Sequence, residues 1–153
     1  METYNDLIAE VISQVEELFP WDLEEKLEAS NPLLLDIREP AEFEAMHIRG
    51  SINVPRGILE QSCEWDYEET VPELVRARDK EIVIICRSGN RSILAAYTMQ
   101  RLGYEHTCSL KTGLKGWSDY ELPLTDLHGV AVDLEQSDAY FTPRIREEQK
   151  KPQ

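Results

Sequence analysis

A run of four β-branched apolar residues, Ile82–Ile85, ends at Cys86 and gives way to a short polar loop. A run without polar alternation is typical of a strand that is buried on both faces of a parallel sheet. From Arg91 onward the apolar residues follow helical spacing as far as Gly103, which suits the position just past a helix end. The sequence therefore predicts a central strand, a cysteine, a tight loop and a helix, in that order.

This order places Cys86 where a negative charge is stabilised. Free N–H groups of the loop and the positive end of the helix dipole both favour an anion. Arg87 and Arg91 add two full positive charges. These features favour the thiolate, which is the nucleophilic form of cysteine. The alternative is an inert cysteine that ends a core strand, but flanking arginines and a polar loop serve no purpose in a core.

The length of the loop limits which group can bind beside Cys86. Four residues separate Cys86 from Arg91, whereas a tyrosine-phosphatase loop has five between its cysteine and its arginine and closes around phosphate. A shorter ring of N–H groups encloses a smaller space, which suits one extra sulfur atom better than a tetrahedral phosphate. The stretch resembles the six-residue active-site loop of rhodaneses (sulfurtransferases), whose first residue is the catalytic cysteine that carries a persulfide.

Two flanking stretches extend this resemblance to about residues 20–123. Residues 36–55 resemble the amino-terminal rhodanese signature, with Asp-x-Arg, Glu-Phe and His-Ile-x-Gly-Ser-x-Asn-Val-Pro in order. Met46 stands where a glycine is usual before the histidine. Residues 110–117 resemble the carboxyl-terminal signature of leucine, paired glycines and tryptophan, with Thr112 in place of the first glycine. Three ordered matches are far more specific than the loop alone.

The resemblance implies that four residues near the site are mainly architectural: Asp36, Arg38, Glu42 and His47. It implies that Arg38 pairs with Glu42 and that His47 holds a turn. A catalytic Cys–His pair is the alternative interpretation of His47. We favour the architectural role, because a thiolate that its loop already stabilises needs no general base.

The predicted activity is sulfur transfer. The Cys86 thiolate attacks a sulfane donor such as thiosulfate or a persulfide, and cyanide or a thiol then accepts the sulfur in a ping-pong cycle. The loop residues expected to bind the persulfide are Arg87, Ser88, Gly89, Asn90, Arg91 and Ser92. No metal or organic cofactor is expected. Two alternatives stay open: a sulfur-carrier or regulatory module that docks a partner through its first helix, and an arsenate reductase or phosphatase on the same fold.

Buried apolar runs alternate with helical segments along the chain, which predicts a three-layer α/β domain of the rhodanese-like kind. We expect a mostly parallel sheet with helices on both faces over residues 21–124, which include a short helix over 22–29 with Asp22 as its N-cap. Residues 1–20 form an extension whose apolar positions predict one amphipathic helix over 7–19. Residues 125–153 form a second extension, with one helix or an extended return before a mobile tail from Phe141 onward.

Thirty acidic residues against sixteen basic ones give a net charge of −14, which argues against nucleic acid and anionic membranes as partners. The expected partners are a small anionic sulfur donor, a thiol or cyanide acceptor, and a sulfur-relay protein. Three irregularly spaced cysteines indicate neither a disulfide framework nor a zinc site. With no signal peptide in the sequence, they favour a reducing cytoplasm.

Two interpretations are open for Cys63, which lies in a polar connection. It resolves the Cys86 persulfide as a disulfide, or it is a half-buried loop thiol, which the absence of any spacing signal favours. Cys108 lies in a predicted strand over 106–110 and is interpreted as a core packing residue.

Overall fold

The computed structural model describes residues 1–153 and contains one five-stranded sheet. All four pairs of neighbouring strands are parallel, in the order β1-β5-β4-β2-β3. The strands are β1 (Glu16–Leu18), β2 (Leu33–Asp36), β3 (Ile52–Asn53), β4 (Glu81–Ile85) and β5 (His106–Leu110). Parallel strands place all their carboxyl ends at one edge, so the loop after the central strand β4 lies at the middle of that edge.

Eight helices surround the sheet and complete the predicted three-layer α/β architecture, which is confirmed. They are α1 (Tyr4–Val11), α2 (Pro20–Ala29), α3 (Pro40–Ala45), α4 (Leu59–Ser62), α5 (Pro72–Val75), α6 (Arg91–Arg101), α7 (Gly113–Asp119) and α8 (Leu134–Phe141). None of these helices has both the length and the apolarity needed to cross a lipid bilayer.

The period of two along β4 divides the core into two layers. Ile82, Ile84 and Cys86 belong to the cluster on one face, where α1, α4, α5 and α6 pack. Val83 and Ile85 belong to the cluster on the other face, together with apolar residues of α2, α7 and α8. Cys86 therefore lies on the same face as α6, the helix that its own loop opens.

The amino-terminal extension differs from the single helix predicted over 7–19. α1 ends at Val11, a 3₁₀ turn covers Ile12–Gln14, and residues 16–18 form β1, which pairs with β5. A short apolar stretch satisfies strand and helix spacing almost equally. Its backbone is fixed instead by the open edge of β5, which offers a partner to N–H and C=O groups that a helix would satisfy internally.

α2 begins two residues earlier than predicted. Pro20 occupies the first turn, where its missing N–H costs nothing, and Phe19 is the N-cap. Asp22 is not the N-cap; it lies in the first turn, and its carboxylate accepts the backbone N–H of Phe19 at 3.3 Å.

The carboxyl-terminal extension contains α8, which packs against α7, with Phe141 buried in the core. Asp133 caps this helix, since its side chain accepts the N–H of Gln136. Phe141 therefore ends a packed helix, and every residue after it is exposed. The prediction of a mobile tail now applies to those residues alone.

Candidate active site

The thiol of Cys86 lies inside the loop that follows β4 and is fully buried. Its sulfur accepts the backbone N–H of Gly89 at 3.1 Å and that of Ser92 at 3.4 Å. The Cys86 Sγ to Ser92 Oγ distance is 3.2 Å, so the thiol donates to this hydroxyl or, once ionised, accepts from it. Three hydrogen-bonding groups therefore converge on one sulfur atom, a surrounding that stabilises a sulfur anion.

Ser109 extends this network, and sequence reasoning did not single it out. Its hydroxyl lies on β5 and is 2.6 Å from that of Ser92, with both side chains buried. A chain from Ser109 to Ser92 to Cys86 aims a hydroxyl proton at the sulfur when the sulfur is charged. The strand register could have identified Ser109. It is a polar residue that pairs with Ile84, and Ile84 faces the core layer that contains α6.

The loop is held from outside by the start of α7. The N–H groups of Leu114 and Lys115 donate to the carbonyls of Cys86 and Arg87, each at 2.9 Å. Gly113 has φ +62°, and a Cβ there would lie 2.5 Å from the carbonyl carbon of Arg87. Only glycine therefore permits this approach, which fixes the loop around the sulfur.

Thr112, the residue at the expected glycine position, adopts the left-handed conformation that a glycine would favour, with φ +67°. Its side chain occupies the space where a Cβ of Gly116 would lie. The backbone of this turn thus keeps a glycine-like path despite the threonine, and Gly116 makes room for the larger residue.

Both arginines of the loop are engaged. Arg91 makes a bidentate ion pair with Glu42 on α3, with both N–O distances 3.0 Å. Arg87 donates to the backbone carbonyl of Phe141 at 2.9 Å, which ties the loop to the end of α8. Of the other two expected binding residues, Ser88 is exposed and Asn90 is the N-cap of α6. Glu42 therefore partly neutralises the charge of Arg91, and both guanidinium groups are held in place.

The expected Arg38–Glu42 pair is wrong. Arg38 pairs with Asp36, with Nη2 to Oδ2 at 2.9 Å, and both side chains are fully buried. The two residues are neighbours on one side of an extended segment, which brings their side chains together. Glu42 instead faces Arg91 across the loop.

The contacts of His47 are structural. Its Nδ1 is 2.7 Å from the carbonyl of Phe43, and its ring stacks on the Phe43 ring with centroids 3.8 Å apart. The backbone of His47 also exchanges hydrogen bonds with Thr125 in both directions at 2.9 Å. The residue therefore closes the turn after α3 and joins it to the segment that follows α7.

Comparison with known proteins decides the family. The model of the family described as "Rhodanese-like domain" matches residues 20–120 of this chain. The chain belongs to this family. The match includes β2 to β5 and the Cys86 loop, whereas α1, β1 and α8 lie outside it. The recognition made from the three sequence signatures is confirmed.

Two relatives with assigned names are each 32% identical to this rhodanese-like chain. A candidate sulfur carrier protein of Bacillus subtilis (strain 168), YrkF, aligns over 111 residues, which are 72% of this chain and 55% of that protein. A candidate mitochondrial thiosulfate sulfurtransferase of Schizosaccharomyces pombe (strain 972) aligns over 90 residues, 57% of this chain and 63% of that protein. The chain thus spans between half and two thirds of these relatives.

A solved structure of similar fold comes from Rhodopseudomonas palustris CGA009, a protein of unknown function described as a possible tyrosine phosphatase. It is 31% identical with a TM-score of 0.72, and the alignment covers 80% of this chain and 94% of that one. Together with the rhodanese-like match, the sulfur carrier and sulfurtransferase relatives support sulfur transfer in general.

The other two cysteines of the rhodanese-like chain have different surroundings. Burial raises the pKa of the Cys63 thiol, which lies beside Tyr104 and Arg78. Burial likewise raises the pKa of Cys108 to about 12. Cys63 is thus fully buried at the end of α4 and not a half-buried loop thiol, and both residues pack as small apolar groups.

An open groove of about 530 Å³ lies beside the exposed Ser88 of the loop. Phe19 and Trp21 stack on its wall with ring centroids 4.6 Å apart, and Tyr120 lies 5.3 Å from Trp21. The residues around α2 and α7 therefore build an aromatic wall next to the Cys86 loop.

The Glu42–Arg91 ion pair is expected to make the free energy of unfolding depend on pH. Burial acts to raise the pKa of Glu42, but the hydrogen bonds from Arg91 and from the Glu39 N–H outweigh it and leave the pKa below its usual 4.5. The carboxylate therefore stabilises the fold above that usual value and ceases to do so as the pH falls through the lower, folded pKa. We expect Glu42→Gln to lower the free energy of unfolding by about 1 kcal/mol at neutral pH.

Urea unfolding at several pH values checks this expectation. The difference between wild type and Glu42→Gln should shrink as the pH falls below the usual pKa of Glu42 and vanish once the pH lies below the lowered, folded pKa. Glu44→Gln changes an exposed carboxylate of the same helix and serves as the control. A difference that stays constant across the pH range would show that the charge of Glu42 does not act through Arg91.

Proposed function

We propose that this rhodanese-like domain transfers sulfane sulfur from thiosulfate or a persulfide donor to a thiol or cyanide acceptor through a persulfide on Cys86. The observation that carries the proposal is the sulfur of Cys86, enclosed at the end of the central strand by the N–H groups of Gly89 and Ser92. Such donors stabilise both the attacking thiolate and the sulfur anion that it forms.

The reaction proceeds in two balanced steps. In the first, the Cys86 thiolate attacks the outer sulfur of thiosulfate, a new S–S bond forms, and the old S–S bond breaks as sulfite leaves with its electron pair. In the second, cyanide or a thiolate attacks the outer sulfur of the persulfide, and Cys86 leaves as thiolate. No net oxidation occurs in the protein, so the chemistry requires neither a metal nor an organic cofactor. This is a ping-pong cycle with a covalent intermediate.

Each group around the sulfur has a role in this scheme. The backbone N–H groups and the Ser92 hydroxyl hold the inner sulfur in place, and Ser109 orients that hydroxyl. Arg91 supplies a positive charge to an approaching anionic donor, moderated by Glu42. Because Arg87 is held by the end of α8, it serves mainly to fix the loop.

The relatives support the choice of sulfur as the transferred group. One is named as a sulfur carrier and another as a thiosulfate sulfurtransferase, which fits a domain that receives sulfur from one molecule and passes it to another. We include a protein thiol of a sulfur relay among the acceptors on this basis.

Phosphatase chemistry is the competing function, given the description of the Rhodopseudomonas protein. The short loop argues against it, and so does its outer support. A Cβ at Gly89 would lie 2.9 Å from the Thr112 backbone nitrogen, so the loop has no free space to widen around a phosphate group on that side.

The deciding experiment uses the wild-type protein. After incubation with thiosulfate, intact mass spectrometry should show a gain of one sulfur atom, and peptide mapping should place it on Cys86. Addition of cyanide should remove it and release thiocyanate. Hydrolysis of an aryl phosphate without any sulfur gain would support the phosphatase instead.

A further inference from the structure

The first helix lies alongside the helix that opens at the Cys86 loop. Ile8 and Val11 of α1 are buried in the same core cluster as Cys86 of the loop and Ile93 of α6. α1 packs against α6, and the side chain of Gln100 near the end of α6 donates to the Gln14 carbonyl after α1 at 3.0 Å, so the two helices run in the same direction. The start of α1 therefore lies beside the start of α6, at the carboxyl edge of the sheet.

Tyr4 lies at this end of α1. Positions 4, 8 and 11 share one face of α1, and the last two carry the buried residues Ile8 and Val11. Tyr4 continues this apolar stripe, yet it is 50% exposed. Tyr4 therefore lies one turn beyond the packed part of the stripe, at the end of α1 that lies beside the start of α6.

The first turn that holds Tyr4 is well defined. The Thr3 side chain accepts the N–H of Asp6 at 3.1 Å, and the Asp6 carboxylate accepts the N–H of Thr3 at 2.8 Å. This reciprocal capping fixes the start of α1. Tyr4 is therefore presented to the loop by an ordered helix and lies outside the residues that the family model matches.

The electrostatics agree with this placement. Burial raises the pKa of Tyr4, negative charge on Cys86 raises it further, and Arg91 opposes both. Arg91 in turn responds to the charges of Cys86 and Tyr4, after the larger influence of Glu42. The phenol thus stays protonated at neutral pH, and its O–H is free to donate to a nearby anion.

A persulfide on Cys86 needs such a donor. The N–H groups of Gly89 and Ser92 are directed at the inner sulfur, and the guanidinium groups of Arg87 and Arg91 are bound to Phe141 and Glu42. We propose that Tyr4 is a residue of the sulfur-transfer site and that its phenol O–H donates a hydrogen bond to the outer sulfur of the Cys86 persulfide. This inference rests on the proposed function and deepens it.

The hydrogen bond has a measurable thermodynamic consequence. In the loading step the thiolate and thiosulfate give the persulfide anion and sulfite, with the same total charge on each side. A donor that reaches only the outer sulfur stabilises the product and not the free thiolate. It therefore shifts the equilibrium toward the loaded protein, and a charge-assisted hydrogen bond is strong enough to change it by about tenfold.

Tyr4→Phe removes the O–H and keeps the ring, so the fold is retained. We expect the ratio of persulfide to free Cys86, measured by intact mass in mixtures of thiosulfate and sulfite, to fall by about tenfold. Tyr67→Phe removes an exposed phenol of the connection that follows α4 and is the matched control. It should leave the ratio unchanged.

The outcomes separate the two proposals. An unchanged loading ratio in Tyr4→Phe, with normal loading of the wild type, overturns the role of Tyr4 and leaves sulfur transfer intact. Failure of the wild type to load at all overturns sulfur transfer itself. An equal fall in Tyr4→Phe and Tyr67→Phe would also reject the specific hydrogen bond, because the two phenols would then act alike.

Discussion

Cys86→Ser is expected to lower thiosulfate–cyanide turnover by at least about a thousandfold, since removal of a nucleophile eliminates the covalent pathway. Serine is close in size to cysteine, and its hydroxyl still accepts the N–H groups of Gly89 and Ser92 that surround the sulfur. The variant should therefore fold normally while gaining no sulfur from thiosulfate. Initial rates of thiocyanate formation and intact mass spectrometry measure both effects.

The other two cysteines provide the controls. Cys63→Ala and Cys108→Ala remove buried thiols whose pKa values are raised by burial. Both variants should load one sulfur at the wild-type rate. A Cys63–Cys86 disulfide in the wild-type protein after loading would instead support the role of Cys63 as a resolving cysteine. Sulfur gain by Cys86→Ser would contradict the proposed mechanism outright.

Arg38→Met is expected to reduce the free energy of unfolding by about 3–5 kcal/mol, because it leaves the fully buried Asp36 carboxylate without its cation. The change also removes the 2.6 Å hydrogen bond from Nη2 to the Met46 carbonyl. In urea, where the slope is roughly 1–3 kcal/mol per molar, the midpoint should fall by about 2 M.

The double variant Asp36→Leu with Arg38→Met tests the cause. It replaces both charges by apolar groups, and replacing a buried pair in this way is often nearly neutral for stability. We expect it to recover most of the lost stability. If the double variant is as unstable as the single one, the loss comes from packing or from the Met46 contact and not from an unpaired charge.

The order of elements in the central domain follows directly from its sequence. The apolar runs at Leu33–Leu35 and Ile82–Ile85 are too short for helices and too uniform for exposed strands, so they indicate buried parallel strands. Pro40 and Gly103 mark a helix start and a helix end by their restricted and permissive backbones. These signals are local, and local signals can be read from sequence.

The amino-terminal segment shows where local signals fail. Val15 to Phe19 fits helical spacing, yet Glu16–Leu18 pairs with Cys108–Leu110 nearly a hundred residues later. Its conformation is set by the open edge of β5, a partner that no local window contains. Propensity is a weak prior when a tertiary partner satisfies the backbone.

The sequence predicts the position of Cys86 and its loop but not the contacts that hold the loop in place. Cys86 and its loop follow from strand, loop and helix in sequence. Ser109, the Arg91–Glu42 pair and the hold of Phe141 on Arg87 join residues from separate elements. Which of two nearby carboxylates an arginine selects depends on side-chain direction; the resemblance implies an Arg38–Glu42 pair, whereas Arg38 pairs with Asp36.

The two outer strands of the sheet are short, with three residues in β1 and two in β3. An exposed edge of that length offers a neighbouring chain few unpaired backbone groups to use as a template for strand addition. At high local concentration the domain should therefore resist edge-to-edge aggregation. The same property would let it stand next to other folded units in a longer polypeptide while each keeps its own sheet.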